Sequence, residues 1–416
     1  MVEPHELYGS PNALAPSYSS FRVSERLLLT GHSHQAWPDC AFEGQKRAWL
    51  DAAEGVDAKW ERAFERAERV RRGFARLLGD DPDRIALAAS THELVVRFLS
   101  ALPLGARRRL VTTSGEYATI RRQLDRLAEE SIEIVRIDAL PAATVADRLI
   151  DAVDARTAAV LVSAVYFENA HIVPRLGALL EACRAKGTEL LVDAYHALGV
   201  IPFELKDRGL EGAYITGGGY KYLQLGEGNC FLRFPPHCAL RPAITGWFSE
   251  FDLMTDREGG TAGAGGVPYG AGPARFAGAT YDPTSHYRAA EVFDFFDEAS
   301  LTPPLLREVS RHQVGLLARL FDELDADQDT ITRDRSVPLD RVAGFLALAT
   351  PRAPELCAAL AEGGVLADSR GTTLRLGPAP YLSDRQLEEA MAILGEALHA
   401  LEQAPTQQDV QPRKGH

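Results

Sequence analysis

Short apolar runs alternate with amphipathic stretches through the first half of the chain. Six of the runs predict β-strands, at 85–89, 109–113, 133–136, 158–164, 189–193 and 212–216. The stretches between them have apolar residues at helical spacing and predict helices at 93–101, 117–129, 143–152 and 176–186. Strands separated by helices are typical of a mostly parallel sheet covered on both faces, so the pattern predicts an α/β fold. Ligands of such sheets bind beyond the carboxyl ends of the strands, where we therefore look for chemistry.

Helical patterns also occupy the flanks of this region. One covers 41–78, and two more, at 285–298 and 304–324, are followed by a smaller α/β region that extends to about residue 401. The glycine-dense segment 258–273 (EGGTAGAGGVPYGAGP) predicts a surface loop; it lacks the spacing of a phosphate-binding glycine loop.

Composition narrows the class of protein. The chain has 416 residues, 46% of them hydrophobic and 25% charged, which is typical of a folded globular protein. A net charge of -13 disfavours binding to nucleic acid or anionic membranes. The five cysteines show no CxxC spacing, so neither a disulfide framework nor a zinc site is expected. With no signal peptide and no membrane-length apolar run, these features predict a cytoplasmic protein.

Lysine is rare in this chain, and one lysine differs from the others. Lys221 follows the predicted strand 212–216 and a glycine run, with a tyrosine on each side. Partial burial there would lower the pKa of its amine and favour the nucleophilic neutral form. A lysine that extends to solvent at a sheet edge explains the local sequence equally well. The remaining lysines all have solvated surroundings: Lys46, Lys59, Lys186, Lys206 and Lys414.

Asp193 decides between these interpretations. It ends the apolar strand 189–193, so its carboxylate should emerge at the ligand-binding end of the sheet. A lysine that forms a Schiff base and a carboxylate that protonates a pyridine nitrogen are the pair that pyridoxal phosphate (PLP) requires. Alone, Asp193 could be a capping residue. Together with Lys221, it predicts PLP as the cofactor.

Several motifs around this pair resemble one family. Residues 192–199 (VDAYHALG), 220–223 (YKYL) and 226–228 (GEG) are similar to the PLP core of class V aminotransferase-fold enzymes, and closest to kynureninase and its relatives. The N-terminal segment 29–34 (LTGHSH), the segment 246–248 (GWF) and the C-terminal segment 374–381 (LRLGPAPY) extend the resemblance over about residues 25 to 400.

The resemblance implies PLP fold type I. In this fold a large domain has a mostly parallel sheet, typically of seven strands, flanked by helices, and a smaller C-terminal α/β domain follows. We expect residues 1–55 to form an N-terminal arm and helix that join the small domain. Residues 56–290 would form the large PLP-binding domain and 291–401 the small domain. Residues 402–416 are expected to be a disordered tail.

The resemblance also assigns residues to the cofactor. Lys221 would carry PLP and act in catalysis, and Asp193 would bind the pyridine nitrogen. His196 and Asn169 match positions that contact the phenolic oxygen of the cofactor. His196 joins Lys221 and Asp193 as a catalytic candidate.

Further residues match positions around the phosphate and the ring of PLP. Ser90 and Thr91 open a helix, where amides and hydroxyls can bind phosphate, although helix capping alone would explain them. Tyr220 would add a phenol to the phosphate. Tyr117 matches the residue that stacks on the ring, where relatives usually have histidine or phenylalanine. Trp247 and Thr280 match positions that reach the phosphate from a neighbouring subunit, which implies a homodimer, or they are ordinary core or loop residues.

Two residues are candidates for substrate binding. Arg375 matches the arginine that pairs with the α-carboxylate of the substrate, and a guanidinium binds a carboxylate in a fixed orientation. His34 could line the mouth of the site, although a histidine that fixes a turn explains its position better.

The resemblance implies an enzyme whose substrate is an amino acid, a small molecule. Kynureninase-like chemistry hydrolyses the Cβ–Cγ bond of kynurenine, 3-hydroxykynurenine or a related γ-keto amino acid and releases alanine. The segment 275–283 (RFAGATYDP) lacks the asparagine expected in typical kynureninases, so another substrate stays open. An aminotransferase, C–S lyase or epimerase also stays open, as does an inactive scaffold or PLP-binding regulator. A cysteine desulfurase is disfavoured because residues 361–374 contain no cysteine.

Overall fold

The structure, a computed structural model, describes residues 2–251 and 266–403. Its strands are β1 (Leu27–Leu28), β2 (Ile85–Ala88), β3 (Arg109–Thr113), β4 (Glu133–Ile137), β5 (Thr157–Ser163), β6 (Glu189–Asp193), β7 (Tyr214–Gly218), β8 (Cys230–Arg233), β9 (Thr332–Arg333), β10 (Leu346–Ala349), β11 (Val365–Leu366), β12 (Asp368–Arg370) and β13 (Thr373–Leu376).

The α-helices begin with a pair, α1 (Cys40–Gly55) and α2 (Lys59–Leu78). They continue with α3 (Thr91–Ala101), α4 (Ala118–Glu129), α5 (Val145–Ala152), α6 (Leu176–Ala185), α7 (Leu205–Arg208), α8 (Thr284–Glu298), α9 (Pro303–Glu323), α10 (Ala353–Glu362) and α11 (Asp384–Gln403).

A seven-stranded sheet forms the centre of the molecule, in the order β2-β8-β7-β6-β5-β3-β4. Only β8 is antiparallel to its neighbours, so the other six strands end at the same edge. Apolar residues alternate between its faces: Val160 and Val162 of β5 join one buried cluster, and Ala159 and Leu161 join the other. Helices cover both clusters, which confirms the predicted α/β fold with a mostly parallel sheet.

The end of β7 differs from the prediction. The strand begins and ends two residues later than predicted and includes Gly217 and Gly218, which pair with Phe231 and Cys230 of β8. Glycine fits there because a Cβ on Gly218 would lie 2.5 Å from the Tyr195 hydroxyl oxygen. The strand therefore extends to within three residues of Lys221.

The predicted helical stretch 41–78 is two helices. α1 ends at Gly55, and Val56 follows with a positive φ of 46° while its amide still bonds to the Ala52 carbonyl. The chain then turns and begins α2 at Lys59. The sequence did not reveal this break between the helices, because both helices have apolar residues at the same spacing.

A second sheet lies in the C-terminal part of the chain, in the antiparallel order β12-β13-β10-β9. The N-terminal strand β1 pairs with β11, and Thr30 bridges to Gly377 just after β13. The N-terminal segment thus packs beside the strand that carries Arg375. The domain limits stay a prediction.

Two predictions fall partly outside the described residues: the first half of the glycine-dense segment 258–273 and most of the tail 402–416. Where the segment is described, Gly272–Phe276 forms a short 3₁₀-helix. Among the described residues, no helix combines the length and apolar character needed to span a bilayer.

Candidate active site

Lys221 lies in a buried turn just after β7, with 7% of its surface exposed. Its Nζ is 2.5 Å from Nε2 of His196. Burial lowers the pKa of the Lys221 amine to about 7, even though Asp193 opposes the shift. A large fraction of this amine is therefore neutral at physiological pH, as a nucleophilic lysine requires.

Asp193 ends β6, the strand beside β7, and Asp193 itself pairs with Thr216. Its Oδ1 accepts a hydrogen bond of 2.8 Å from the Tyr195 amide. Burial raises the pKa of the carboxyl, while that hydrogen bond and the Lys221 charge lower it. Both groups thus emerge at one edge of the sheet, as the strand pattern predicted.

His196 lies on the turn after Asp193 and is buried. Burial and the nearby Lys221 hold the pKa of its imidazole well below its ordinary value, so the ring is neutral. Its Nδ1 is buried and has no hydrogen-bond partner among residues 2–251 and 266–403. The ring is therefore fixed at Nε2 by Lys221 and has one free polar atom.

These groups line a cavity of about 280 Å³. Seven of the predicted site residues border it: Ser90, Thr91, Tyr117, Asp193, His196, Tyr220 and Lys221. The structure thus brings most of the predicted cofactor set into one space at the carboxyl edge of the sheet.

The amino end of α3 forms one wall of the cavity. Ser90 is its N-cap and accepts a hydrogen bond of 3.3 Å from the Glu93 amide through its hydroxyl. Capping explains this contact. The other amides of the first turn still favour a bound anion, because the helix dipole and the unpaired N–H groups act together.

Three tyrosine rings surround the amine of Lys221. Nζ lies 5.1 Å from the ring centre of Tyr195, 5.5 Å from that of Tyr117 and 5.7 Å from that of Tyr220. Aromatic faces attract cations at such distances and supply apolar surface for a planar ligand. Tyr117 is 39% exposed at the rim of the cavity, so its ring has an open face.

Arg375 lies on β13, and its side chain is buried. It makes two hydrogen bonds to Asp368, from Nε to Oδ1 at 2.8 Å and from Nη2 to Oδ2 at 2.5 Å. Its Nη1 donates to the Phe167 carbonyl at 2.6 Å. The side chain does not border the cavity, but Phe167, whose carbonyl it binds, does. The Arg375 charge also lowers the pKa of Lys221.

The other predicted residues lie around the mouth or farther away. His34 stacks on Tyr220 with ring centres 4.9 Å apart, and its Nε2 is 3.6 Å from Oε1 of Glu227, which borders the cavity. Asn169 does not border the cavity; its Oδ1 accepts a hydrogen bond of 3.0 Å from the His171 amide.

Trp247 and Thr280 are joined to each other, by a hydrogen bond of 3.2 Å from Nε1 to Oγ1. Neither residue borders the cavity around Lys221. Thr280 lines a larger cavity of about 1080 Å³ that adjoins it through Ala89, Glu227 and Gly228. Their predicted contact with a neighbouring subunit stays a prediction.

Sequence reasoning missed Glu116, a buried carboxyl beside the cavity. Its oxygens accept hydrogen bonds from the hydroxyls of Thr113 and Ser163, both at 2.6 Å, and from the Ser163 amide. Burial raises the pKa of Glu116 to about 7, and the Asp193 charge adds to the shift. Its partners Thr113 and Ser163 are polar residues that end the neighbouring strands β3 and β5. These two strand ends were the signal in the sequence that could have revealed Glu116.

Asp368 and His32 were also missed. Asp368 faces Arg375 across the β12–β13 pair, and His32 lies 2.8 Å from Asp368, measured from Nε2 to Oδ1. Their contact depends on strand register and on the packing of the N-terminal segment, which the local sequence does not show.

The residues fit a bound PLP. A lysine amine, a strand-end carboxylate and a helix amino end face one cavity. The buried Nδ1 of His196 has no hydrogen-bond partner among the described residues and is available to a ligand. These are the groups that an imine, a pyridine nitrogen and a phosphate need.

No family model matches the chain, but curated proteins are similar to it over most of its length. The uncharacterized aminotransferase YcbU of Bacillus subtilis (strain 168) is 25% identical over 347 residues, 82% of this chain and 86% of its own. A kynureninase of Geobacillus thermodenitrificans (strain NG80-2) is 23% identical over 416 residues, 94% of this chain and 89% of its own. These similarities are consistent with the class V aminotransferase superfamily, as the sequence predicted.

Solved structures share the fold of this chain. A C-DES mutant with glycine covalently linked to its PLP cofactor superposes with a TM-score of 0.79 at 15% identity, and the match covers 92% of this chain and 98% of that one. The predicted superfamily and fold are thus confirmed, and the cofactor named for this neighbour is the one predicted here.

Proposed function

We propose that the protein is a PLP-dependent enzyme that acts on an amino acid, and that its reaction is kynureninase-like. The substrate would be kynurenine, 3-hydroxykynurenine or a related γ-keto amino acid. Water would cleave the Cβ–Cγ bond to give alanine and a carboxylic acid. The observation that carries the proposal is the buried Lys221 amine, with its lowered pKa, in one cavity with Asp193.

Each part of the cofactor has a partner in the cavity. Lys221 would hold PLP covalently through Nζ, Asp193 would bind the pyridine nitrogen, and the amino end of α3 at Ser90 and Thr91 would bind the phosphate. Bound PLP supplies an electron sink that makes the Cα proton of a bound amino acid acidic.

The protein must then move that proton. An amine with a pKa of about 7 can accept a proton and return it near neutral pH, so Lys221 Nζ is our candidate for the shuttle. Arg375 would orient the α-carboxylate of the substrate with its guanidinium. His196 stays neutral next to Lys221 and keeps the amine in place.

The cofactor proposal is tested by the visible absorbance of the purified protein. Wild-type protein supplied with PLP should show a visible absorbance band from the imine between PLP and Lys221. Lys221→Ala should lose the band, while Lys206→Ala, which changes an exposed lysine, should keep it. A colourless wild-type protein would refute the proposal.

The reaction is tested by alanine release from kynurenine and 3-hydroxykynurenine. A second candidate is an aminotransferase, favoured by the similarity to YcbU over 82% of the chain. If no alanine appears but a keto acid forms in the presence of an amino acceptor, the aminotransferase is correct.

A cysteine desulfurase remains disfavoured. Residues 361–374 have no cysteine, and Cys357 lies on α10 with its thiol directed to the Ala367 carbonyl at 3.3 Å. This thiol lies on a helix, whereas sulfur transfer needs a cysteine on a mobile loop.

We also propose that the protein is a cytoplasmic homodimer. Large apolar side chains of α1 are exposed, with Phe42 64% and Trp49 78% accessible. Exposed apolar surface of this kind marks protein contacts.

The proposed cytoplasmic location rests on the cysteines. All five cysteines are free thiols, which is typical of a reducing compartment.

A further inference from the structure

Arg375 is already paired with a carboxylate of its own chain. Asp368 accepts from Nε and Nη2, and the Phe167 carbonyl accepts from Nη1. A guanidinium has five N–H groups, so one N–H on Nη1 and one on Nη2 remain for a ligand.

Asp368 cannot readily leave this arrangement. It lies directly opposite Arg375 in the β12–β13 pair, so backbone pairing holds the two residues together. Hydrogen bonds from His32 and Arg375 keep the pKa of Asp368 below its ordinary value despite burial, so the carboxyl is ionised.

His32 fixes Asp368 from the N-terminal segment. Its side chain is buried, and burial lowers the pKa of the imidazole to about 4, so the ring is neutral at physiological pH. An ionised carboxylate can only accept hydrogen bonds, so Nε2 of His32 carries the proton in the 2.8 Å contact.

We propose that Asp368 is a positioning residue for substrate recognition, which holds Arg375 so that the free N–H groups of Nη1 and Nη2 receive the α-carboxylate of the substrate. His32 supports Asp368 in this role. The inference rests on the proposed function. Because the guanidinium is fixed before the ligand arrives, binding does not have to restrict its rotation, and the affinity for a carboxylate is higher.

The test compares two small ligands that differ in the carboxylate. The PLP-loaded enzyme is titrated with L-alanine and with L-alaninamide, and dissociation constants are taken from the change in the visible band. Asp368→Asn should weaken L-alanine binding at least tenfold and change L-alaninamide binding less than threefold. Arg375→Ala should abolish the preference for L-alanine over the amide.

A matched control is available in a second histidine–aspartate pair. His312 Nε2 lies 2.8 Å from Asp384 Oδ1 at the start of α11, outside the cavity. Asp384→Asn should leave both dissociation constants unchanged. If Asp368→Asn lowers the midpoint of thermal unfolding more than this control does, His32→Phe is used instead. His32→Phe should weaken the binding of L-alanine by about threefold and leave that of L-alaninamide unchanged.

The outcomes separate the two proposals. A wild-type enzyme without a band, or one that does not respond to L-alanine, contradicts the proposed function itself. If the wild type prefers L-alanine and Asp368→Asn keeps that preference, the role of Asp368 is refuted. Tighter L-alanine binding by Asp368→Asn also refutes it, because Asp368 would then compete with the substrate.

Discussion

At the scale of single residues, the site depends on how burial changes the charge of each group. Burial lowers the pKa of Lys221 and His196 and raises that of Asp193 and Glu116. Each shift favours the neutral form, which is the expected effect of a low-dielectric surrounding. The amine at the centre therefore has a reactive neutral form near pH 7.

The first prediction concerns the pH dependence of cofactor capture. Since the pKa of Lys221 is lowered to about 7, the rate of covalent PLP capture by the apoprotein should rise with pH up to about 8 and then level off. A lysine with an ordinary pKa of about 10.4 would give a rate that still rises at pH 9. Stopped-flow absorbance measures this profile, and a continued rise would contradict the buried environment.

The second prediction concerns Glu116. Because its pKa is raised to about 7, the folded protein binds more protons than the unfolded chain between about pH 4.5 and 7. Glu116 therefore reduces the free energy of unfolding as pH rises through that window, by at most about 1.4 kcal/mol per pH unit.

Glu116→Gln removes the titration and keeps a polar group for Thr113 and Ser163. The difference in unfolding free energy between this variant and the wild type should grow in favour of the variant from pH 5 to pH 7. Urea denaturation of the apoproteins measures it, with the exposed Glu168→Gln as control. A constant difference would mean that Glu116 stays ionised.

Local sequence predicted some of these residues and not others. Lys221 and Asp193 were recognisable because each follows an apolar strand, and parallel strands end at the same edge. Asp368 was not recognisable, because its partner Arg375 is reached only through an antiparallel register across β12 and β13. A register of this kind depends on the tertiary packing of short strands.

At the scale of secondary-structure elements, the central strands were predictable because they are continuous apolar runs. β3 has the predicted limits, and β6 ends as predicted at Asp193. β8 was not predicted: its four residues, Cys230–Arg233, are the one antiparallel strand of the sheet and have no helix before them. The α/β alternation therefore gave no indication of it.

The third prediction tests the close packing at the end of β7. A methyl group on Gly218 would lie 2.5 Å from the Tyr195 hydroxyl oxygen and 2.7 Å from the Cys230 sulfur. Gly218→Ala should therefore lower the free energy of unfolding by about 1–3 kcal/mol and displace Tyr195 from Lys221.

Gly105→Ala is the matched control, since a methyl group there meets no atom of the described residues within 4 Å. Urea denaturation should find it within about 0.5 kcal/mol of the wild type. If both variants unfold alike, the packing around Gly218 is looser than the structure indicates.

At the scale of the whole molecule, the exposed apolar face of α1 is the feature that the isolated chain does not explain. Phe42, Trp49 and Leu50 are all exposed on it. Apolar surface of this kind is costly in water unless it is covered by another molecule.

The fourth prediction follows from the proposed dimer. Trp49→Asp should shift the protein towards a monomer, because a carboxylate in an apolar interface must be desolvated without a partner. Light scattering coupled to size-exclusion chromatography measures the mass. Leu140→Asp, at a position 52% exposed in the loop after β4, should keep the wild-type mass.

The order of the site residues along the chain has a consequence for synthesis. Among the described residues, all those that border the cavity around Lys221 lie between Ala89 and Cys230, whereas Arg375 comes about 150 residues after Lys221. Because a chain leaves the ribosome amino end first, the residues proposed to hold the cofactor emerge well before the one proposed to bind the substrate. A nascent chain could thus acquire its cofactor before it is able to select an amino acid.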